Sequence, residues 1–148
     1  MISSIQRRRF LSAGVGLGIG AVLPAARACE ISTATLRVTH PWSRATAHGA
    51  QTAVVCMKFD EVVESDRLVW VETPIASGAE MGGAGVAPVL DFFIPQGQVT
   101  YLDDAGTFVR LLGLKHPLEL GRSYPLRLGF AIGGVVDGVL SVDYGRFR

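Results

Sequence analysis

The sequence predicts an all-β domain, a β-sandwich or barrel, and three observations carry the prediction. From residue 35 onward the apolar residues fall in short runs or strict alternation, and no stretch holds a 3.6-residue period long enough for a stable helix. Turn residues interrupt these runs about every ten residues. The chain has 148 residues, 49% of them apolar and 18% charged, which fits one domain with a single buried core and excludes a disordered chain.

The elements follow in order. Residues 35–39 read as a strand that stops at His40-Pro41. Residues 51–59 alternate, with Ala53, Val55, Met57 and Phe59 on one face and Cys56 sharing the other with Val54. Residues 67–73 place Leu68, Trp70 and Glu72 on one side and Val69 and Val71 on the other. Strands over 90–94, 98–102, 108–114, 124–132 and 138–144 continue the series. The breaks include Ala47-His48-Gly49, Gly82-Gly83-Ala84-Gly85, Pro95-Gln96-Gly97, Asp103-Asp104-Ala105-Gly106 and Gly133-Gly134. Trp42 and Trp70 are assigned to the core, because large aromatics dominate core burial.

The net charge of +1 conceals two unlike pieces. Residues 1–28 hold Arg7, Arg8, Arg9 and Arg27 and no acid, whereas residues 29–148 hold 10 basic against 13 acidic residues. A mildly acidic body without a Lys/Arg cluster argues against nucleic-acid binding. The leading segment has the build of an export signal: a charged start, an uncharged run from Phe10 to Ala26, and the small-x-small sequence Ala26-Arg27-Ala28. The order Arg-Arg-x-Phe-Leu resembles a twin-arginine signal, and an ordinary secretory leader with one extra arginine is the alternative. Either predicts cleavage after Ala28, a mature domain over 29–148 in the periplasm, and no membrane span in the mature form. The Gly14-to-Gly20 glycine string follows no strand and is not a nucleotide loop. Cys29 would then be the first mature residue. Ala26 and Arg27 fit a lipid-attachment site poorly, so simple cleavage is expected there, with lipidation of Cys29 as the minor alternative. In an oxidising compartment Cys29 and Cys56 have the option of a disulfide or a thiolate metal pair. Otherwise Cys56 is a buried thiol acting as a small hydrophobe.

Within the body, His40-Pro41-Trp42-Ser43-Arg44-Ala45-Thr46 followed by Gly49-Ala50-Gln51-Thr52-Ala53 resembles the opening motif of the periplasmic copper chaperone family PCu(A)C. So, in order, do Asp66-Arg67-Leu68 with Thr73-Pro74-Ile75-Ala76, Phe93-Ile94-Pro95-x-Gly97, Leu111-Leu112-Gly113-Leu114-Lys115-His116-Pro117-Leu118-x-x-Gly121, and the segment 124–130. The resemblance implies a cupredoxin-like Greek-key β-sandwich. It also implies a role in copper trafficking and delivery for cytochrome c oxidase assembly, with an oxidase subunit or another copper chaperone as partner. Family members hold Cu(I) with two histidines and two methionines, soft ligands for a soft ion. On this sequence those four positions fall on Gly82, Val86, Phe108 and Arg110. Arg110 is a permanent cation. The resemblance therefore comes with an expectation that the family copper site is lost and no cofactor is bound, with Cu(I) returning only at a relocated site. Met81 is the remaining soft residue there, and core packing is its default reading. An Arg110 paired with Glu80 or Asp91 would mark an ion pair in place of the metal, whereas Met81 meeting a histidine or Cys56 would mark a relocated site.

The other titratable residues have plain structural readings. His40 reads as a loop histidine bonded to backbone, and His48 and His116 as residues of exposed turns without ligand partners at metal spacing. Asp103-Asp104 precede Ala105-Gly106 as in a solvated turn. No nucleophile elbow, His-Glu-x-x-His or phosphate loop occurs in the body, so no enzyme is expected. The alternative function is a metal-free periplasmic interaction module on the same fold. A redox protein using Cys29 and Cys56 is a third.

Overall fold

The structure is a computed structural model that describes residues 30–144. The chain over those residues is all-β. Its ten strands are β1 (Glu30–Ser32), β2 (Arg37–Ser43), β3 (Thr52–Asp60), β4 (Asp66–Glu72), β5 (Gly78–Gly82), β6 (Phe92–Ile94), β7 (Thr100–Leu102), β8 (Phe108–Leu112), β9 (Ser123–Phe130) and β10 (Gly134–Val142). They form one hydrogen-bonded path in the order β5-β8-β3-β2-β10-β9-β4-β6, with β1 added on β2 and β7 on β3. All pairings are antiparallel except β2 with β10.

Strand β3 joins the two layers. Its first half (Thr52 to Val55) pairs with β8 and its second half (Met57 to Phe59) with β7, while β2 lies along its other edge. The predicted alternation holds here: Ala53, Val55, Met57 and Phe59 are all buried. With Leu68, Ile94, Leu111, Leu128 and Leu140 they enclose one apolar core. Phe59 anchors it, edge-on to Phe130 and tilted against Phe92.

Two bulges correct the sequence reading. Strand β2 does not stop at His40-Pro41. It runs on to Ser43, because Thr39 faces Lys58 and Trp42 faces Cys56, leaving one extra residue on β2. The bulge lets Pro41, which has no N–H for a ladder, sit in an interior strand. It also sets His40 at φ 50°, in the left-handed region. In β4, Leu68 faces Phe130 and Trp70 faces Gly129, so Val69 and Trp70 share one step of β9. Both turn outward, 41% and 38% exposed, while Leu68 and Val71 are buried. Trp70 is therefore not a core residue, and the predicted sides of β4 are reversed beyond Val69. The sequence reading places no strand over 78–82 and puts Gly82 in a break. Gly82 in fact belongs to the strand, and the turn begins at Gly83, whose φ is 129°.

The buried carboxylate of Asp66 ties the barrel end together. It accepts hydrogen bonds from the Thr35 hydroxyl (2.7 Å) and from the N–H groups of Arg67, Ile132 and Gly133 (2.8–2.9 Å). Burial alone would raise its pKa, but these donors together hold it below the ordinary 3.8.

Candidate functional site

Strands β5 and β8 bring the singled-out residues together. Glu80 pairs across with Arg110, Met81 with Val109 and Gly82 with Phe108. The two-residue period of a strand puts Glu80, Gly82, Phe108 and Arg110 on the outer face. Met81 (2% exposed) and Val109 face the core. Arg110 donates from Nη1 to Glu80 Oε1 at 2.9 Å, and both side chains are about a third or less exposed. The guanidinium carbon lies 5.4 Å from the Phe108 ring centroid, within cation–π range. Phe108 in turn covers Gly82: a Cβ at Gly82 would lie 2.9 Å from the ring Cζ and nearer still to Cε2. Val86 folds back through its N–H to the Gly83 carbonyl (3.3 Å), with its side chain against the core. The site is thus a layered stack, with a carboxylate, a guanidinium and an aromatic ring over a bare stretch of backbone. Asp91, the other carboxylate considered for Arg110, instead takes both Nε and Nη2 of Arg67.

The remaining candidates lie apart. His40 is in β2 rather than a loop, with Nε2 3.8 Å from Asp143 Oδ2. His48 is in an exposed turn. His116 is exposed, with Nδ1 3.0 Å from the Pro117 carbonyl and its ring tilted on Tyr124. Asp103 closes its turn through its carbonyl to Gly106 and its carboxylate to Ala105, and Asp104 holds Arg44 at 3.0 Å. Cys56 is 1% exposed. Burial, with the nearby Asp104 charge adding to it, pushes its pKa up to about 12, so the thiol is protonated and unreactive at neutral pH. Cys29, its suggested partner, lies outside the described residues, as does the leader predicted over 1–28. No group of three His, Cys, Asp or Glu side chains within reach of one ion occurs among the described residues. No helix there is long and apolar enough to cross a membrane.

The fold is the cupredoxin-like Greek-key sandwich of PCuAC domains. The copper-bound PCuAC domain from PmoF2 superposes with a TM-score of 0.71 at 20% identity, over 78% of this chain and 98% of that one. The apo PCuAC domain from PmoF1 gives 0.71 at 29% identity, over 78% and 99%. The solution structure of CuI-DR1885 from Deinococcus radiodurans gives 0.63 at 21% identity, over 80% and 83%. Residues 36–142 match the family described as "Putative lipoprotein LpqE-like", and the chain belongs to that LpqE-like family. No curated protein matches the sequence.

Proposed function

We propose that this chain is an exported member of the copper-chaperone group of folds in which the Cu(I) site has given way to an ion pair. On this reading it acts as a metal-free interaction module in copper trafficking, not as a carrier of copper or an enzyme. One observation carries the proposal: Arg110, bonded to Glu80 and stacked on Phe108 over Gly82, stands where the family resemblance places ligands. The donor set at Gly82, Val86, Phe108 and Arg110 offers Cu(I) no thioether and no imidazole, and a fixed cation opposes a metal ion. The residues present do not fit copper. Export to the periplasm rests on the leader and on the lipoprotein description of the family, with cleavage after Ala28 through a twin-arginine-like signal. The partner is another periplasmic protein, an oxidase subunit or a copper chaperone.

Titration of the reduced protein with Cu(I) against a competing chelator tests the reading. We expect no tight one-to-one binding. Sub-micromolar affinity that persists when both Cys29 and Cys56 are replaced by serine would overturn it.

A further inference from the structure

The edge of β2 that faces away from β3 is shared by two strands. β1 covers it as far as Thr39, opposite Glu30, and β10 takes it over at Trp42, opposite Ser141. His40 and Pro41 lie between, in neither ladder. The bulge sets His40 at φ 50°, and its Nε2 comes 3.8 Å from Oδ2 of Asp143, the residue that follows β10. Asp143 is fixed from two sides. Its N–H donates to the Ser43 carbonyl at 3.0 Å, and its Oδ1 accepts the Tyr144 N–H at 2.6 Å. A cleft of 360 Å³ opens beside the pair, lined also by Ser123, Ser141 and Arg122, whose guanidinium is held by Glu119 at 3.0 Å.

The register supplies a third donor. Cys29 directly precedes Glu30. The antiparallel pairs Ser32–Arg37, Ile31–Val38 and Glu30–Thr39 continue to residue 29 opposite His40. Residues opposed in this way stand about 4.5–5.5 Å apart between Cα atoms and share a face. Cys56 does not compete for this thiol. Glu30 and Lys58 flank Thr39 from opposite edges of β2, two strand spacings or about 9.6 Å apart. Cys56 lies two residues further along β3. One Cα step of about 3.8 Å from Glu30 therefore leaves residue 29 beyond the roughly 6.8 Å limit of a disulfide.

Two nitrogen or oxygen ligands of a tetrahedral zinc ion lie about 3.3 Å from each other, so His40 and Asp143 need to close by about half an ångström. Thiolate, imidazole and carboxylate are all zinc donors, and the carboxylate favours a divalent ion over Cu(I). We propose that Cys29, His40 and Asp143 form a structural zinc site that clips the start of β1 to the end of β10. With the leader cut after Ala28, the Cys29 α-amine is the fourth donor and closes a five-membered chelate with Sγ; with the leader retained, water takes that position. Only the fourth donor rests on the export reading. The site draws nothing from the β5–β8 stack, whose residues lack copper donors.

Zinc titration of the purified protein against a chromogenic chelator tests the site, after mass spectrometry has defined its N-terminus and the state of Cys29. We expect a free Cys29 thiol and one zinc ion per chain, bound with sub-micromolar affinity. Cys29→Ser, His40→Asn and Asp143→Asn should each weaken binding about tenfold or more. Asparagine tolerates the positive φ at position 40, so His40→Asn removes the imidazole and keeps the backbone. Circular dichroism without zinc should show all three variants folded. Asp143→His, which returns a zinc donor, should recover most of the affinity. Cobalt in place of zinc should give a thiolate charge-transfer band that Cys29→Ser removes and Cys56→Ser leaves. Absence of stoichiometric zinc overturns the proposal. So does an affinity indifferent to His40→Asn or Asp143→Asn in folded protein, a cobalt spectrum without the thiolate band, or a Cys29 sulfur found acylated.

Discussion

Gly82 shows how a single missing side chain shapes the site. Its backbone is an ordinary strand without positive φ, so alanine would fit the dihedrals and gain about 0.5–1 kcal/mol over glycine there. The Phe108 ring occupies the space instead, covering the glycine in the manner of an aromatic rescue across a strand pair. Gly82→Ala is therefore expected to destabilise the protein by about 1 kcal/mol through the displaced ring. The same change in a Phe108→Ala background should be neutral or stabilising. Urea denaturation of the four proteins of the cycle measures the coupling, and additive effects would show that the ring does not rest on Gly82. Residue-level reading succeeded where alternation was unbroken, as with Met57 and Phe59. It assigned the two tryptophans alike, yet Trp42 is buried and Trp70 lies over Gly129 on the surface. The difference is one bulge residue in β4, and a bulge leaves no mark in the apolar pattern of its own strand, because it is defined by the partner.

At the scale of the element, the β5–β8 pair is the unit that sets the site chemistry. Strand β8 was legible because Val109 and Leu111 alternate with Phe108 and Arg110. Strand β5 was not, since Gly78, Ala79 and Gly82 have little apolar signal and its stability comes from pairing with β8. Once the register is known, the face follows: 80, 82, 108 and 110 all point outward together. If these are the ancestral ligand positions, restoring the soft donors should restore binding. The variant Gly82→His, Val86→Met, Phe108→His, Arg110→Met is expected to gain Cu(I) affinity into the sub-micromolar range by chelator competition. Arg110→Met alone should gain little, since one thioether is a poor ligand set. Removing Phe108 in the same variant makes room for the histidine at 82. A variant folded by circular dichroism that still fails to bind would show that the ligand positions lie elsewhere.

Across the whole molecule, acid stability rests on carboxylates that the fold holds ionised. Arg37 grips Asp60 through Nε and Nη2 at 2.7 and 2.9 Å, with Lys58 at 3.1 Å, and this holds the Asp60 pKa below its ordinary 3.8 against the opposing effect of burial. Asp66 is held low by its four donors, as described above. A carboxyl whose folded pKa lies below its unfolded one binds fewer protons when folded, so its contribution is complete above the unfolded value and is lost as pH falls through the folded one. Unfolding free energy should thus stay level, as far as these groups decide it, from neutrality to about pH 5 and decline below pH 4. Asp66 joins Thr35, β4 and the β9–β10 turn, so its loss acts on the closure of the barrel and not on one strand. Asp66→Asn keeps the shape but sets an NH₂ against two donors. It should cost roughly 3 kcal/mol, a fall in Tm of about 15 °C for a domain of this size. Because that variant has one fewer depressed carboxyl, its stability should also fall less steeply between pH 4 and pH 2. Denaturant titrations of both proteins across pH 2–7 measure the two slopes. Parallel curves offset by a constant would assign Asp66 a purely geometric role, with its charge contributing nothing to the acid limb.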